Sequence, residues 1–237
     1  MQAKNIPINT KIILVASGKG GVGKSTVSFL LAKSLQRKGK KVGILDADIY
    51  GPSIPTILGA QNSVPEAVDG IFQPVEKDGI KLNSIGFLVK EESALAWRGP
   101  MLTKALDQLL FSTNWSECEY LIVDMPPGTG DIHISFVQKA KIFGAIIVTT
   151  PDIVAEKDVI RAIDLYKKVN LPILGIIENM SYLKNGDDLI SIFSGSSAEK
   201  ISENYGIKLI AKLPIIPMLS GNFELYDNKE LEINIEN

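Results

Sequence analysis

The sequence predicts an α/β fold, a doubly wound and mostly parallel sheet flanked by helices, on three observations. Apolar, β-branched runs recur along the chain, amphipathic helical patterns lie between them, and polar residues gather where the runs end. Runs that stay apolar instead of alternating mark strands covered on both faces, as in a parallel sheet between two helix layers. In that architecture ligands sit at the carboxyl ends of the strands.

The elements follow in order. "KIILVAS" at 11–17 reads as the first strand, and residues 1–10 as its lead-in. The helix expected from Ser25 to Lys38 puts Val27, Leu30, Leu31, Ser34 and Leu35 on one face and stops at Gly39. "KVGILDAD" at 41–48 is the next strand, ending in Asp46 and Asp48. Pro and Gly then cluster between about 50 and 100, where only one strand, "GIKLNSIGF" at 79–87, is expected. Further strands are "YLIVDMP" at 120–126, "AIIVTTP" at 145–151, "PILGIIENM" at 172–180 and "KLIAKLP" at 208–214. Helices are expected near 100–111, 132–142, 154–169 and 196–205. The strand ends carry Asp124, Thr149, Thr150, Glu178 and Asn179. With no internal repeat and no long linker, one domain is expected over 1–237, with 226–237 as a solvated acidic tail.

Composition narrows the function classes. The 237 residues are 45% hydrophobic and 22% charged, enough for one large core, and the formal net charge is −2. No global field would hold nucleic acid or an anionic membrane, so neither is an expected partner. Cys118 is the single cysteine, which excludes an internal disulfide and a Cys-rich metal site built from one copy. A soluble protein of a reducing cytoplasm is expected, since the chain shows neither signal-peptide regions nor an apolar run long enough for a bilayer.

The chemistry starts in "SGKGGVGKST" at 17–26. Gly18, Gly20 and Gly23 satisfy G-x-G-x-x-G, the dinucleotide fingerprint, but so short a match is weak. The stricter pattern G-x-x-x-x-G-K-S/T is met by Gly18, Gly23, Lys24 and Ser25 between a strand and a helix. Glycines let backbone N–H groups converge on phosphate oxygens, and the helix adds its positive end. Lys24 would meet the β and γ phosphates and the Ser25 hydroxyl a magnesium ion. A dinucleotide has no γ-phosphate to need that lysine, and a plain tight turn does not explain Lys24 and Ser25 together. "LIVDMPPGTGD" sets Asp124 at a buried strand tip, ready to orient a magnesium-bound water, before Gly128 and Gly130 of a loop suited to sense a γ-phosphate. "DADIYGPS" offers Asp46 and Asp48, one of which would position the attacking water. Each aspartate alone would read as a helix cap; three such strand ends together favour the phosphate site.

Lys19 has no place in an ordinary P-loop. The whole stretch resembles the deviant Walker A loop of the nitrogenase-iron-protein, MinD and ParA class of ATPases. "DADIYGPSIP" at 46–55, "WRGPM" at 97–101, "DMPPGTGD" at 124–131, "TTP" at 149–151 and "ENMSY" at 178–182 are similar to the Mrp/ApbC branch, the iron–sulfur cluster carrier ATPases. The likeness runs from about residue 11 to 217. It implies a nitrogenase-iron-protein/MinD-like fold and a homodimeric, nucleotide-sandwiching ATP hydrolase in which Lys19 reaches the partner's phosphates, like an arginine finger. Gly18, Lys19, Gly20, Gly21, Val22, Gly23, Lys24, Ser25 and Thr26 would then hold ATP, with Asn179 and Pro214 at the adenine. Ser25, Asp46, Asp48 and Asp124 would serve Mg²⁺, and Asp48 would also orient water.

The likeness further implies a 4Fe–4S cluster held between two subunits by Cys-x-x-Cys after "ENMSY", and apo iron–sulfur proteins as acceptors. In this chain that stretch is Leu183-Lys184-Asn185-Gly186-Asp187-Asp188-Leu189, without a cysteine. A nucleotide-gated adaptor lacking a cluster, and a MinD- or ParA-like positioning ATPase, therefore stand as alternatives. Many members also carry a small domain before the ATPase; with the P-loop strand starting by residue 11, none is expected within this chain. Cys118 reads as an inert buried thiol. His133, the only histidine, reads as a surface or helix-start residue, Trp97 and Trp115 as core or dimer surface, and Arg98 as a residue within reach of the partner.

Overall fold

A computed structural model describes residues 6–88, 99–185, 188–193, 197–215 and 231–235. Trp97, Arg98, Gly186, Asp187 and, in the expected tail, residues 226–230, 236 and 237 lie outside them. The nine-stranded sheet is built on β1 (Lys11–Ser17), β2 (Val42–Asp46), β5 (Val75–Lys77), β6 (Ile80–Ser84), β7 (Tyr120–Asp124), β8 (Ile142–Thr149), β9 (Ile173–Asn185), β10 (Asp188–Ile190) and β11 (Leu209–Ile215). Its order is β10-β9-β8-β1-β7-β2-β6-β5, with β11 also on β9. Every pairing is parallel except β5 with β6 and β10 with β9. A separate hairpin, β3 (Ala67–Val68) with β4 (Ile71–Phe72), completes the strands.

The unbroken apolar runs have the expected cause. Ile13 and Val15 of β1 join one buried cluster with α1 (Lys24–Arg37) and α2 (Ile54–Ile57). Ile12, Leu14 and Ala16 join the other, with residues of α3 (Gly99–Phe111), α4 (Asp131–Lys139), α5 (Ile153–Lys168) and α6 (Ser197–Tyr205). Successive strand residues point to opposite faces, so a strand buried on both must be apolar throughout. The expected α/β architecture is therefore the observed one, and the helix bounds fall within a residue or two of the pattern, save that α4 stops at Lys139, before β8 begins at Ile142.

Four features depart from the sequence reading. Between 50 and 100, where one strand was expected, the short helix α2 and the strands β3, β4 and β5 also form. The strand expected at 79–87 ends at Ser84 and passes into a 3₁₀ turn, Ile85–Phe87. The strand expected at 172–180 runs on to Asn185 and pairs antiparallel with β10, so the described residues of the stretch that would carry cluster cysteines, 183–185 and 188–189, lie on paired strands. The tail is not wholly solvated: Leu231 and Ile233 are buried against the α1 face, and the Ile233 N–H donates to Ser34 Oγ at 2.9 Å. Leu231, Ile233 and Ile235 alternate with Glu232 and Asn234, a period-two signal that the acidic composition masks. Among the described residues no helix is long and apolar enough to cross a membrane.

Ile233→Ala should lower the unfolding free energy by about 2–4 kcal/mol, the cost of truncating a buried aliphatic side chain. Glu232→Ala, at an exposed neighbour, should leave it unchanged within about 0.5 kcal/mol. Urea melts of the two variants decide whether this segment is part of the core.

Candidate functional site

Parallel register brings the acidic strand ends together. Asp124 stands opposite Val15 of β1 on one side and Asp46 of β2 on the other, and Asp46 stands opposite Ser84 of β6. The first turn of α1 descends onto this edge from the glycine loop. Lys24 Nζ donates to Asp124 Oδ1 at 2.9 Å and lies 3.3 Å from Asp48 Oδ2. Ser25 Oγ donates to Asp124 Oδ2 at 2.5 Å, and Ser28 Oγ to Asp124 Oδ1 at 2.8 Å. Asp124 is fully buried, so its charge is answered by these three donors and not by water.

The electrostatics follow from burial. Burial alone would push the Lys24 ammonium down, but Asp124, Asp48 and Asp46 outweigh it and hold the group above its usual value. Asp48 is raised, first by burial, with Lys24 opposing and Asp124 adding repulsion. Asp46 is raised further, by burial and by Asp124. One ammonium thus pairs with two carboxylates, Asp124 and Asp48, with a third, Asp46, close by, an arrangement that gains from added positive charge.

Both Asp46 oxygens accept hydrogen bonds from this chain. Its Oδ1 accepts the Asp48 N–H, and its Oδ2 accepts the Ile54 N–H and Ser84 Oγ, at 3.1–3.2 Å. It ties β2 to α2 and β6 and shapes the turn that presents Asp48. Its i to i+2 relation to Asp48 was legible; the direction of its oxygens was not. Among the described residues no group of three or more His, Cys, Asp or Glu forms a metal-ligand set.

The glycine loop is a cradle with one tight wall. Gly18 packs on α5 so closely that a Cβ would overlap the Asp158 backbone. Gly23 has φ +78°, and a Cβ there would also overlap the Asn179 amide. Gly20 and Gly21 form the exposed rim, Val22 is buried beneath it, and Thr26 follows Ser25 on the open side. A cavity of about 410 Å³ opens over Gly20, Lys24, Ser25, Asp48, Tyr50 and Pro127.

The remaining expected residues divide. Lys19 Nζ pairs at 2.8 Å with Asp152, directly before α5, and so rests on its own chain. Asn179 Nδ2 donates to the Val22 carbonyl at 2.9 Å and props the loop from β9. Met180 beside it holds φ +56°, a strained value for its type. Pro214, half-buried on β11, stands opposite Tyr182 and does not line the cavity. Cys118 packs near Trp115 just before β7, at the opposite end of that strand from Asp124, and burial pushes its thiol up to about 11. His133, expected at the surface or at a helix start, does sit in the first turn of α4 but is buried, and burial pushes it down to about 4. Trp115 is fully buried, as a core residue.

A strand, a glycine loop and a helix whose lysine answers a neighbouring strand's aspartate make this a P-loop NTPase. The family model for ParA, described as NUBPL iron-transfer P-loop NTPase, matches residues 9–231, and the chain belongs to that family. It is 55% identical over 210 residues to the iron-sulfur cluster carrier protein of Rickettsia felis, covering 89% of this chain and 63% of that one. To the iron-sulfur cluster carrier protein of Escherichia coli K12 it is 49% identical over 207 residues, covering 86% of this chain and 56% of that one. The chain therefore spans about three-fifths of the length of these relatives. Among solved structures, the nucleotide-binding protein of Archaeoglobus fulgidus in complex with ADP matches with TM-score 0.78 and 37% identity, over 94% of this chain and 87% of that one. The cell division ATPase MinD of Pyrococcus furiosus shares the fold, with TM-score 0.67 and 23% identity over 95% of each chain. The carrier-family resemblance and the MinD-like fold expected from the motifs are thus borne out.

The single histidine yields a pH prediction. Its folded value of about 4 lies below its ordinary 6.5, so its stabilising contribution is complete above pH 6.5 and is lost as pH falls through 4. Between pH 7 and pH 4, wild type should lose about 3 kcal/mol more stability than His133→Gln. Urea melts of the two proteins across that range measure the difference.

Proposed function

We propose that this chain is a Mg²⁺-dependent ATPase that works as a nucleotide-sandwich homodimer in iron–sulfur cluster handling. The observation that carries the reading is the Lys24 ammonium held between Asp124 and Asp48 under an open glycine cradle. The hydroxyl and carboxylate oxygens of Ser25, Asp48 and Asp124 are the hard donors that suit magnesium. When bound, that ion would supply positive charge that neutralises phosphate oxygens. The chain's own residues do the rest. Loop N–H groups and Lys24 bind the β and γ phosphates, and Asp124 keeps Ser25 and Lys24 aimed at them. Asp48, a buried carboxylate at the cavity wall, orients the attacking water. Lys19 leaves Asp152 to meet the phosphates of the partner subunit, which makes turnover depend on dimerisation. Asn179 and Pro214, on adjacent strands of the same sheet, are assigned to the adenine side.

A second reading, a nucleotide-gated adaptor that binds no cluster, is favoured by residues 183–189, which hold no cysteine. Two copies of the chain supply only two thiols, and burial keeps Cys118 protonated, the wrong state for a metal ligand. If a cluster is the cargo, delivered to apo iron–sulfur acceptors, its ligands must come from elsewhere than Cys118.

Steady-state ATP hydrolysis with Mg²⁺ tests the first reading. Lys24→Ala should lower kcat/KM by roughly 10²-fold to 10³-fold, Asp48→Asn kcat by roughly 10²-fold or more, and Lys19→Ala kcat by roughly 10³-fold with ATP binding retained. Specific activity of wild type should rise with protein concentration; a chain that neither binds nor hydrolyses ATP refutes the assignment. Anaerobic reconstitution with iron and sulfide, followed by transfer to an apo-acceptor, separates carrier from adaptor: no stable cluster and no transfer leave the adaptor.

A further inference from the structure

The loop between Asp124 and α4 is held by a residue with no assigned role. His133 Nε2 lies 3.1 Å from the Pro126 carbonyl, and Nδ1 lies 2.8 Å from the Tyr166 hydroxyl on α5. A carbonyl only accepts, so Nε2 carries the proton, Nδ1 presents its lone pair, and the tyrosine hydroxyl donates to it. Both side chains are buried, at 2% and 1% exposure, and the low value of the imidazole keeps it neutral in this role.

The position of this pair matters because of what it joins. Pro126 and Pro127 have no N–H, so between Met125 N–H, which donates to Val15, and Gly128 N–H, which donates to Ser17, the backbone has no donor of its own. The Pro126 carbonyl, an acceptor, is a handle on that segment, and Pro127 lines the phosphate-side cavity. Helix α5 at the other end of the tether also touches the glycine loop, through Asp158 against Gly18, and it follows directly on Asp152, the partner of Lys19. Tyr166 lies about two turns beyond Asp158 on the same helix.

We propose that His133 is a positioning residue for the phosphate site, tying the Pro126 carbonyl, and with it Pro127–Gly130, to Tyr166 so that this loop and the P-loop share helix α5 as one reference. A filler of the core would need only shape; this ring must offer one donor and one acceptor at once. A glutamine amide can do the same, and a leucine cannot. The consequence for turnover rests on the ATPase reading above; the tether itself does not.

The test uses the whole chain and two readouts. Because His133 is the only histidine, its ¹⁵N ring signals are unambiguous and should show the Nε2-protonated neutral tautomer at pH 7. Hydrogen exchange at the Gly128 amide should be faster by about tenfold in His133→Leu and restored within about threefold in His133→Gln. In the same variants kcat should fall about fivefold for Leu and recover for Gln, with KM within about twofold throughout and Tyr166→Phe in between. An Nδ1-protonated tautomer, or a folded Leu variant with wild-type Gly128 exchange, overturns the proposal. So does a folded Gln variant that behaves as Leu does. If the Leu variant does not fold, the tautomer and the Gln and Tyr166→Phe variants decide the matter. If wild type hydrolyses no ATP, the enzyme reading falls alone and the Gly128 exchange still decides the tether.

Discussion

The buried carboxylate of Asp124 is the constraint on which the rest of the site depends. It sits on a strand between β1 and β2, where parallel register leaves no freedom in its height along the sheet. Three donors from the first turns of α1 converge on its two oxygens. An anion so placed needs them, because a buried carboxylate without partners costs several kcal/mol. The same need fixes the start of α1, and with it the path of the glycine loop, before any ligand arrives. Lys24 is thereby pre-aimed at the strand edge while still facing the cavity.

Preorganisation of this kind explains why the sheet and the P-loop were legible in the sequence. The β-branched runs must be apolar on both faces, and the loop must use glycine where Asp158 and Asn179 press on it. Both demands act on residue type and spacing. What was not legible depends on where side chains point. Asp46 and Asp48 are two residues apart on one turn, yet the first is consumed by Ile54 and Ser84 and only the second meets Lys24. Nothing in "DADIYGPS" distinguishes them, because the decision is made by the neighbouring strand β6 and by α2. Asn179 supporting Val22, and His133 lying inside the fold, are likewise contacts between elements remote in sequence. The packed tail is a different case: its alternation was present in the sequence but was outweighed by its charge.

The resting partner of Lys19 bears on how two copies could meet. Its ammonium and Asp152 are each about one-third exposed, so the pair is screened by water and is worth at most about 1 kcal/mol. A contact that weak orders the side chain without locking it. Any stronger anion presented to Lys19 would win, and a triphosphate is stronger by charge alone. Lys24 is the opposite case, buried and shared between two aspartates, and it cannot leave without stranding them. The two lysines of one loop are thus set apart by burial: one is fixed in its own site, the other held only by a solvent-screened pair.

Burial also explains why the lone cysteine and the carrier relatives point in different directions. A thiol pushed up to about 11 against Trp115 gains by staying protonated and packed. To ligate iron it would have to lose a proton and leave the core, at the far end of β7 from the phosphate site. The paired strands β9 and β10, which stand where cluster ligands were expected, instead turn Leu189 and Ile190 outward. Apolar side chains exposed on a short edge strand offer backbone pairing and van der Waals contact but no metal ligand. The P-loop chemistry of this chain and the cargo named for its relatives are therefore separable physical properties, one built into the sheet edge and the other without thiolate ligands among residues 183–189.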